Sequence, residues 1–345
     1  MKKMLALLLA LVMVLSLAAC ASSQPAAAST ETAETTETTE PAAEESAEAP
    51  AESGKTYTVG VCQLVQHEAL DAATQGFIDA LKEELGDAVT VDVQNASGDS
   101  VNCGTIVNGF VSKGVDLIMA NATPALTAAV SATADIPILG TSITAYGVAL
   151  DIDDFNGTVG GNVSGTSDLA DLQAQAQMIL DWFPETKTVG LLFCSAEPNS
   201  RYQIDEVCKA LEAQGVTCEE FAFTDSNDVS SVTQKAADFS DVVYIPTDNT
   251  AASNTEAIAN VLIPAGVPAV CGEEGLCRGC GVATLSISYY DLGVTTGKMA
   301  AKILKGEADI STMPVEYTDA TPKYNASVCE QLGITPLDGY EAIDG

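Results

Sequence analysis

Short apolar runs alternate with longer segments of helical period from Tyr57 onward. The run from Tyr57 to Leu64 predicts a buried strand, and the next segment places Leu70, Phe77 and Leu81 on one helical face. The order of strand and helix then repeats, through "VTVDVQNA", "DLIMANA" and "IPILGTSI" and later through "TVGLLFCS", "VTCEEFAF", "DVVYIPTD", "VPAVCG" and "VATLSIS". Buried strands that alternate with helices indicate parallel sheets covered on both faces. We therefore predict an α/β protein with two doubly wound parallel-sheet lobes joined by a hinge.

The boundaries of the two predicted lobes follow from the same pattern. Lobe one covers residues 55–161, and the helix within 288–313 returns to it after the second series. Lobe two covers 162–287, with 314–345 as a candidate extension. The segment "TVGGNVSGTSDLA" is rich in glycine and small polar residues, which suits a connection between lobes. A folded part of about 290 residues also exceeds the usual size of a single core.

The first fifty residues differ from the rest in composition. Lys2 and Lys3 precede an apolar run that ends at Ala19, which predicts a signal peptide over residues 1–19. "LAAC" has the form of a lipobox, so Cys20 is the predicted lipid attachment site; the alternative is an ordinary signal peptide with a chance cysteine. Residues 20–54 then form a tether of Ala, Ser, Thr, Glu and Pro, a composition typical of disorder.

Charge and cysteine content limit the expected partners and the expected disulfides. The formal net charge of -34, with only 14 Lys and Arg, repels phosphate backbones, so nucleic acid is excluded as a partner. Ten cysteines minus Cys20 leave an odd number, so they cannot all pair internally. Cys208 and Cys218 flank one turn and could form a disulfide. Cys277 and Cys280 form "CRGC" without a second such motif, which favours a disulfide or spare thiols over zinc. The other pairings stay open among Cys62, Cys103, Cys194, Cys271 and Cys329.

Candidate site residues lie in the turns that follow the strands, because open parallel sheets bind ligands beyond the carboxyl ends of their strands. These turns are "QLVQHEA", "NATPA", "GTSIT", "SAEPNSR", "PTDNTA" and "CGEEG". Two sheets that face each other would frame a cleft between these turns. No nucleophile stands at a recognisable spacing, and a single histidine is present, so we predict neither catalysis nor a metal or cofactor.

The chain resembles the substrate-binding lipoproteins of ABC transporters in the tryptophan and tyrosine uptake branch, which have the type I periplasmic-binding-protein fold. The resemblance rests on "HEALDAATQGFIDALKEE", "GGNVSGTSD", "PNSRYQIDEV", "IPTDNTAAS" and "ISYYDLGVTTGKMAAKILKGE", in this order from about Tyr57 to Ile334. The chain departs from the family pattern at Glu68, where proline is expected, and at the two cysteines of "CGEEGLCRGCGVAT". The second departure leaves a thiol oxidoreductase as an alternative.

The resemblance implies a lipid-anchored extracytoplasmic protein that delivers a free amino acid to an ABC permease, with Trp, Tyr or Phe as the expected ligand. Hinged closure around the ligand would be its mechanism. A ligand sensor for a signalling receptor and the binding of a branched-chain amino acid or another small solute are alternatives. An amino acid needs an acidic acceptor for its ammonium and donors for its carboxylate.

Asp248 is the predicted ammonium acceptor, and helix capping is its alternative role. His67 is a predicted wall residue of lobe one, with a surface position as the alternative. Eight further residues are candidates for ligand contacts, each with capping or packing as its alternative: Gln63, Thr123, Thr141, Asn199, Ser200, Asn249, Glu273 and Tyr289.

Overall fold

The computed structural model of the protein describes residues 55–343. The predicted signal peptide, the lipid attachment site at Cys20 and the tether lie outside the described residues. Within the described part, no helix is both long and apolar enough to cross a membrane.

The first lobe begins with an alternation of strands and helices. Its elements are β1 (Tyr57–Gln63), α1 (Glu68–Leu85), β2 (Val89–Asn95), α2 (Ser100–Lys113), β3 (Leu117–Asn121), α3 (Thr123–Ala132), β4 (Ile138–Ile143), α4 (Tyr146–Ala149) and β5 (Val163–Ser167). Local chemistry sets helix ends: Asp99 accepts from the Val101 amide at the start of α2, and Gly114 ends it in the left-handed conformation. The strands pair in parallel, and β1 lies between β2 and β3.

The second lobe has the same construction. Its elements are α5 (Leu172–Trp182), β6 (Thr188–Cys194), α6 (Pro198–Glu212), β7 (Thr217–Phe223), α7 (Val229–Phe239), β8 (Val242–Ile245), α8 (Asn249–Ala252), α9 (Thr255–Ala265), β9 (Ala269–Cys271), α10 (Glu274–Cys280) and β10 (Ala283–Ser286). The predicted α/β fold with two parallel-sheet lobes is therefore confirmed. The segment between β8 and β9 forms two helices, α8 and α9, since the chain turns at Ser253 and Asn254.

The last segment contributes helices and strands first to lobe one and then to lobe two. It comprises α11 (Tyr289–Lys305), β11 (Glu316–Tyr317), β12 (Thr321–Tyr324), α12 (Ala326–Leu332) and β13 (Glu341–Ala342). In the described residues the first sheet has the order β11-β5-β4-β3-β1-β2 and the second β13-β12-β10-β9-β8-β6-β7. Strand β12 is antiparallel to β10, whereas the other pairings are parallel. The chain therefore crosses between the lobes three times, at residues 168–171, 287–288 and 318–320.

The crossings differ from the predicted boundary at residue 161. Strand β5, which falls in the segment interpreted as a connection, belongs to the first sheet, as does β11. The small residues of β5 have a packing reason: Gly165 has a φ of +143°, and a Cβ there would collide with the carbonyl oxygen of Gly140 in β4. Glycine content therefore marks a close approach of two strands here and not a linker.

Helix α11 fastens the returning chain to the first lobe. Gly293 of α11 lies against the backbone of Ala73 in α1, so the two helices approach closely. Farther along, the hydroxyl of Thr296 donates to that of Thr141, and both contact the hydroxyl of Thr166. These three buried threonines join α11 to β4 and β5, so the helix and the first sheet form one body.

The nine cysteines in the described residues are free thiols. Cys208 and Cys218, for which a disulfide was one possibility, are half-buried neighbours whose thiols interact. Cys277 and Cys280 are buried in α10, and of the two alternatives, a disulfide or spare thiols, the structure has spare thiols. Burial raises the pKa of Cys194 to about 11 and that of Cys277 above its usual range. No group of three His, Cys, Asp or Glu side chains in this part of the chain could hold a metal ion.

The contact between α1 and α11 gives a test of the fold. Because a Cβ at Gly293 would collide with the carbonyl oxygen of Ala73, we expect Gly293→Ala to lower the free energy of unfolding by about 1–3 kcal/mol in urea titrations. The control is Gly109→Ala in exposed α2, where a Cβ meets nothing within 4 Å; it should raise the stability by about 0.5–1 kcal/mol. Equal effects of the two substitutions would contradict the close packing.

Candidate functional site

The carboxyl ends of the parallel strands of both sheets border one cleft between the lobes. Two side-chain contacts bridge it: His67 Nε2 lies 3.2 Å from Asn249 Oδ1, and Arg278 Nε donates to Glu68 Oε1 at 3.0 Å. A cavity of about 310 Å³ between the lobes is lined by Leu64, Pro124 and their neighbours from one side and by Glu197, Asn249 and their neighbours from the other. The lobes therefore touch around the cleft, as in a closed form.

A carboxylate that follows β5 has an incomplete set of partners. Asp168 is only 5% exposed, and its Oδ2 accepts a hydrogen bond of 2.9 Å from the hydroxyl of Tyr289. Its Oδ1 forms no hydrogen bond of good geometry among the described residues. Burial raises the pKa of Asp168 to about 6, because the charged form loses its hydration, and the hydroxyls of Tyr289 and of the nearby Thr144 offset this only in part. Such a carboxylate is suited to receive a cationic group of a ligand.

Other buried polar atoms lack partners in the same turns. Among the described residues these include the hydroxyl of Ser142, at the register irregularity near the end of β4, that of Thr144 directly after β4, and Oδ1 of Asn199 in the first turn of α6. A buried polar atom without a partner costs about 1–3 kcal/mol. Ser142 also has a φ of 55°, and Ala122, between β3 and α3, has a φ of 90°. Strained backbone and unpaired polar groups together indicate a site that a polar ligand completes.

Asp248, the predicted ammonium acceptor, has a different role. Its Oδ1 accepts from the amide of Ala251 at 2.8 Å, which makes Asp248 the N-cap of α8. Its Oδ2 accepts from the amide of Cys194 at 2.6 Å and from the hydroxyl of Ser200 at 2.8 Å. Both oxygens are therefore used inside lobe two, and the capping alternative fits the geometry. Ser200 serves the same internal bond.

Glu197 organises the adjoining turn, and the sequence analysis did not identify it. Its Oε2 accepts from the backbone amide and the side-chain amide of Asn249, at 3.0 and 2.6 Å, and its Oε1 accepts from the amide and the hydroxyl of Thr250. Asn249 in turn contacts His67 of lobe one. A chain of polar contacts thus runs from Glu197 across the cleft. The signal for it was an acidic residue directly before the proline that opens α6.

His67 is half-buried and precedes the first residue of α1. Burial lowers its pKa, and the bond to Asn249 and the nearby Glu197 and Asp71 offset this only in part. His67 therefore contacts the opposite lobe, and its role in a ligand-binding wall stays a prediction.

Three predicted residues form their side-chain hydrogen bonds within their own lobe. Gln63 donates to Asp71 at 2.6 Å and accepts from Thr74 at 2.6 Å, both within lobe one. The hydroxyl of Thr141 is held in the buried threonine cluster. Glu273 caps α10 through the amides of the next turn, and burial raises its pKa to about 7.

The remaining candidates lie at the cleft. Thr123 is buried as the first residue of α3, and Tyr289 binds Asp168 where the chain returns to lobe one. Asn199 donates to the carbonyl of Thr247 at 3.1 Å and keeps its Oδ1 unpaired. The structure therefore joins Tyr289 with the unpredicted Asp168, while Asn199, like Ser142, keeps a buried polar atom without a partner. Asp168 was missed because its segment was interpreted as a connection.

The two hinged lobes and the polar cleft define a two-lobed ligand-binding protein. The family described as ABC transporter substrate binding protein matches residues 58–339. The chain belongs to this family.

Relatives in this family have known ligands. The chain is 32% identical over 276 residues to a tyrosine-binding protein of Clostridioides difficile strain R20291, covering 78% of this chain and 79% of the relative. A solved structure from Streptococcus pneumoniae, an ABC domain in complex with L-Trp, is 32% identical with a TM-score of 0.79; the match covers 84% of this chain and 100% of that one.

A third relative gives a comparison of conformations. The ligand-free, open structure of a substrate-binding protein with adhesive properties from Clostridium difficile is also 32% identical, covers 84% of this chain and 99% of its own, and has a TM-score of 0.64. At equal identity, the present structure superimposes better on the ligand complex than on the open form. This agrees with the contacts across the cleft.

The buried Asp168 gives a test that needs no ligand. The pKa of Asp168 is about 6 in the folded chain, above the usual value of about 3.9. The folded state therefore keeps the proton up to a higher pH than the unfolded state, and the free energy of unfolding falls as pH rises from about 4 to 6. We expect Asp168→Asn to raise the free energy of unfolding by about 1–3 kcal/mol at pH 7.5 and to have little effect at pH 4. Thermal unfolding at both pH values measures this, and a variant less stable at pH 7.5 would contradict it.

Proposed function

We propose that this protein is the extracytoplasmic solute-binding component of an ABC importer and that it binds a free aromatic amino acid between its lobes. The observation that carries the proposal is the buried, half-paired carboxylate of Asp168 among unpaired polar atoms at the strand ends. Relatives named for tyrosine binding and solved with L-Trp support the ligand class.

The groups around the cleft are suited to the two charged groups of an amino acid. Asp168 would accept from the ammonium through its unpaired Oδ1, while Tyr289 holds the other oxygen in place. The hydroxyl of Ser142 would donate to the carboxylate of the ligand, whereas that of Thr144 lies beside Asp168 and would help to hold this side chain. Each unpaired atom would gain a partner on binding. The ligand would therefore remove the free-energy penalty of leaving buried polar atoms without hydrogen bonds. No bond of the ligand is made or broken in this proposal.

Transport would proceed by hinged closure. The three crossings at residues 168–171, 287–288 and 318–320 are short, and Asp168 and Tyr289 lie at two of them. A ligand that binds both lobes stabilises the closed form, which a permease can then distinguish from the open form. Cleavage before Cys20 and its lipidation would tether this domain at the outer face of the membrane, as the lipobox "LAAC" predicts.

The ligand class can be tested by thermal unfolding of residues 54–345, after unfolding and refolding to remove any bound ligand. The twenty amino acids, nucleosides and sugars are the panel. A ligand at a hundred times its dissociation constant stabilises the folded state by about 2.7 kcal/mol. We expect a rise confined to Trp, Tyr and Phe. A folded protein that responds to sugars or nucleosides, but to no amino acid, would refute the proposal.

The ammonium acceptor can be tested by substitution, with isothermal titration of the responding amino acid. Asp168→Asn removes the charge opposite the ammonium, and we expect it to weaken binding by about 2 kcal/mol or more. Native affinity should also fall below pH 6, where the proton competes with the ammonium for Asp168. Asp248→Asn is the matched variant, because its carboxylate is buried but fully bonded within lobe two. A larger loss of affinity in Asp248→Asn would reverse the assignment.

A further inference from the structure

Two charged side chains from different lobes meet across the cleft. Arg278, in α10 of lobe two, donates from Nε to both carboxylate oxygens of Glu68, at 3.0 and 3.1 Å. Glu68 is the first residue of α1 in lobe one, 210 positions away in the chain. It directly follows His67, which contacts Asn249 of lobe two. Two consecutive residues of lobe one are therefore bound to lobe two.

Lobe two holds Arg278 ready for this contact. Its guanidinium also donates to Glu274 at 2.8 Å, within the same helix. The other oxygen of Glu274 accepts from Lys323 of β12 at 2.6 Å. Arg278 is thus fixed by a network that does not depend on lobe one. Only the partner Glu68 has to arrive from the opposite lobe.

The contact can exist only while the lobes are closed. Opening the cleft separates α1 from α10, since they belong to different lobes. The ion pair then breaks, and water hydrates the carboxylate of Glu68 instead. Because the side chains are 33% and 53% exposed, the pair is weaker than a buried one and is screened by salt. It therefore favours closure modestly and reversibly.

We propose that Glu68 and Arg278 form an inter-lobe latch that sets how long the closed protein retains its ligand. In this proposal both are positioning residues, because they hold the closed form while Asp168 and Tyr289 serve the ligand. The inference rests on the proposed function for the identity of the ligand. Association begins from the open form, where the pair is separated, so the latch acts mainly on the dissociation rate.

The test measures association and dissociation rates by stopped flow, with L-tryptophan and L-tyrosine as probes. In Glu68→Gln we expect the dissociation rate to rise about two- to five-fold and the association rate to change by less than about 1.5-fold. In about 1 M NaCl, where the Debye length is about 3 Å, the native protein and the variant should converge. The control is Glu84→Gln on the same helix, which breaks an exposed ion pair with Lys305 inside lobe one and should leave both rates unchanged.

A double-mutant cycle separates the latch from a general effect on stability. Arg278→Gln should resemble Glu68→Gln, and the double variant should dissociate no faster than the more affected single variant, because both remove one interaction. Additive effects of the two substitutions, or unchanged dissociation in both, would overturn the latch.

The rate measurements also separate this inference from the proposed function. If neither L-tryptophan nor L-tyrosine binds the native protein, the aromatic ligand is refuted, and the rates are then measured with the compound that the thermal-unfolding panel identifies. The latch predicts the same faster dissociation of that compound from Glu68→Gln, and an unchanged dissociation rate would overturn it.

Discussion

The direction of the strands is the constraint on which the rest of this structure depends. Within each sheet nearly all pairings are parallel, so every strand must be followed by a crossover, and the turns that leave the strands gather at one edge. Both sheets present that edge to the same cleft. Residues as distant in the chain as His67 and Asn249 come into contact for this reason. The site is consequently made of turn residues, and the strands behind them act as a scaffold.

The acidic groups at the cleft show how burial separates structural from ligand-binding roles. Glu197, Asp248 and Glu273 are all buried, and each directs its oxygens to backbone amides or side chains of its own lobe. Asp168 is equally buried but keeps one oxygen unpaired. A chain selected for stability alone would satisfy that oxygen or replace the carboxylate. The Asp168 carboxylate therefore lowers the free energy of unfolding of the ligand-free protein, and a ligand of opposite charge offsets this loss.

The fold was largely predictable from the sequence, because strand and helix periods are local properties. Strand β5 escaped prediction, since its glycine and small polar residues favour a loop, and only the contact with Gly140 explains them. Among the site residues, Asp248 and Asp168 are both acidic residues at strand ends. What distinguishes them is whether the neighbouring amides and hydroxyls use both oxygens, and that depends on tertiary contacts such as that from Cys194 to Asp248. The partner of Arg278 likewise lies beyond any local pattern.

The cysteine side chains of this chain differ in their reactivity toward nucleophilic chemistry and oxidation. Nucleophilic attack and oxidation require the thiolate, and burial keeps side chains such as Cys194 and Cys277 protonated and out of reach of reagents. Cys208 and Cys218 are half-exposed, although burial raises their pKa as well. The hydrogen bond from Cys62 lowers the pKa of the buried Cys103. The folded domain can therefore keep many reduced cysteines without blocking groups, and the loss of its fold would expose them together. Tertiary structure is here also a protection against oxidation.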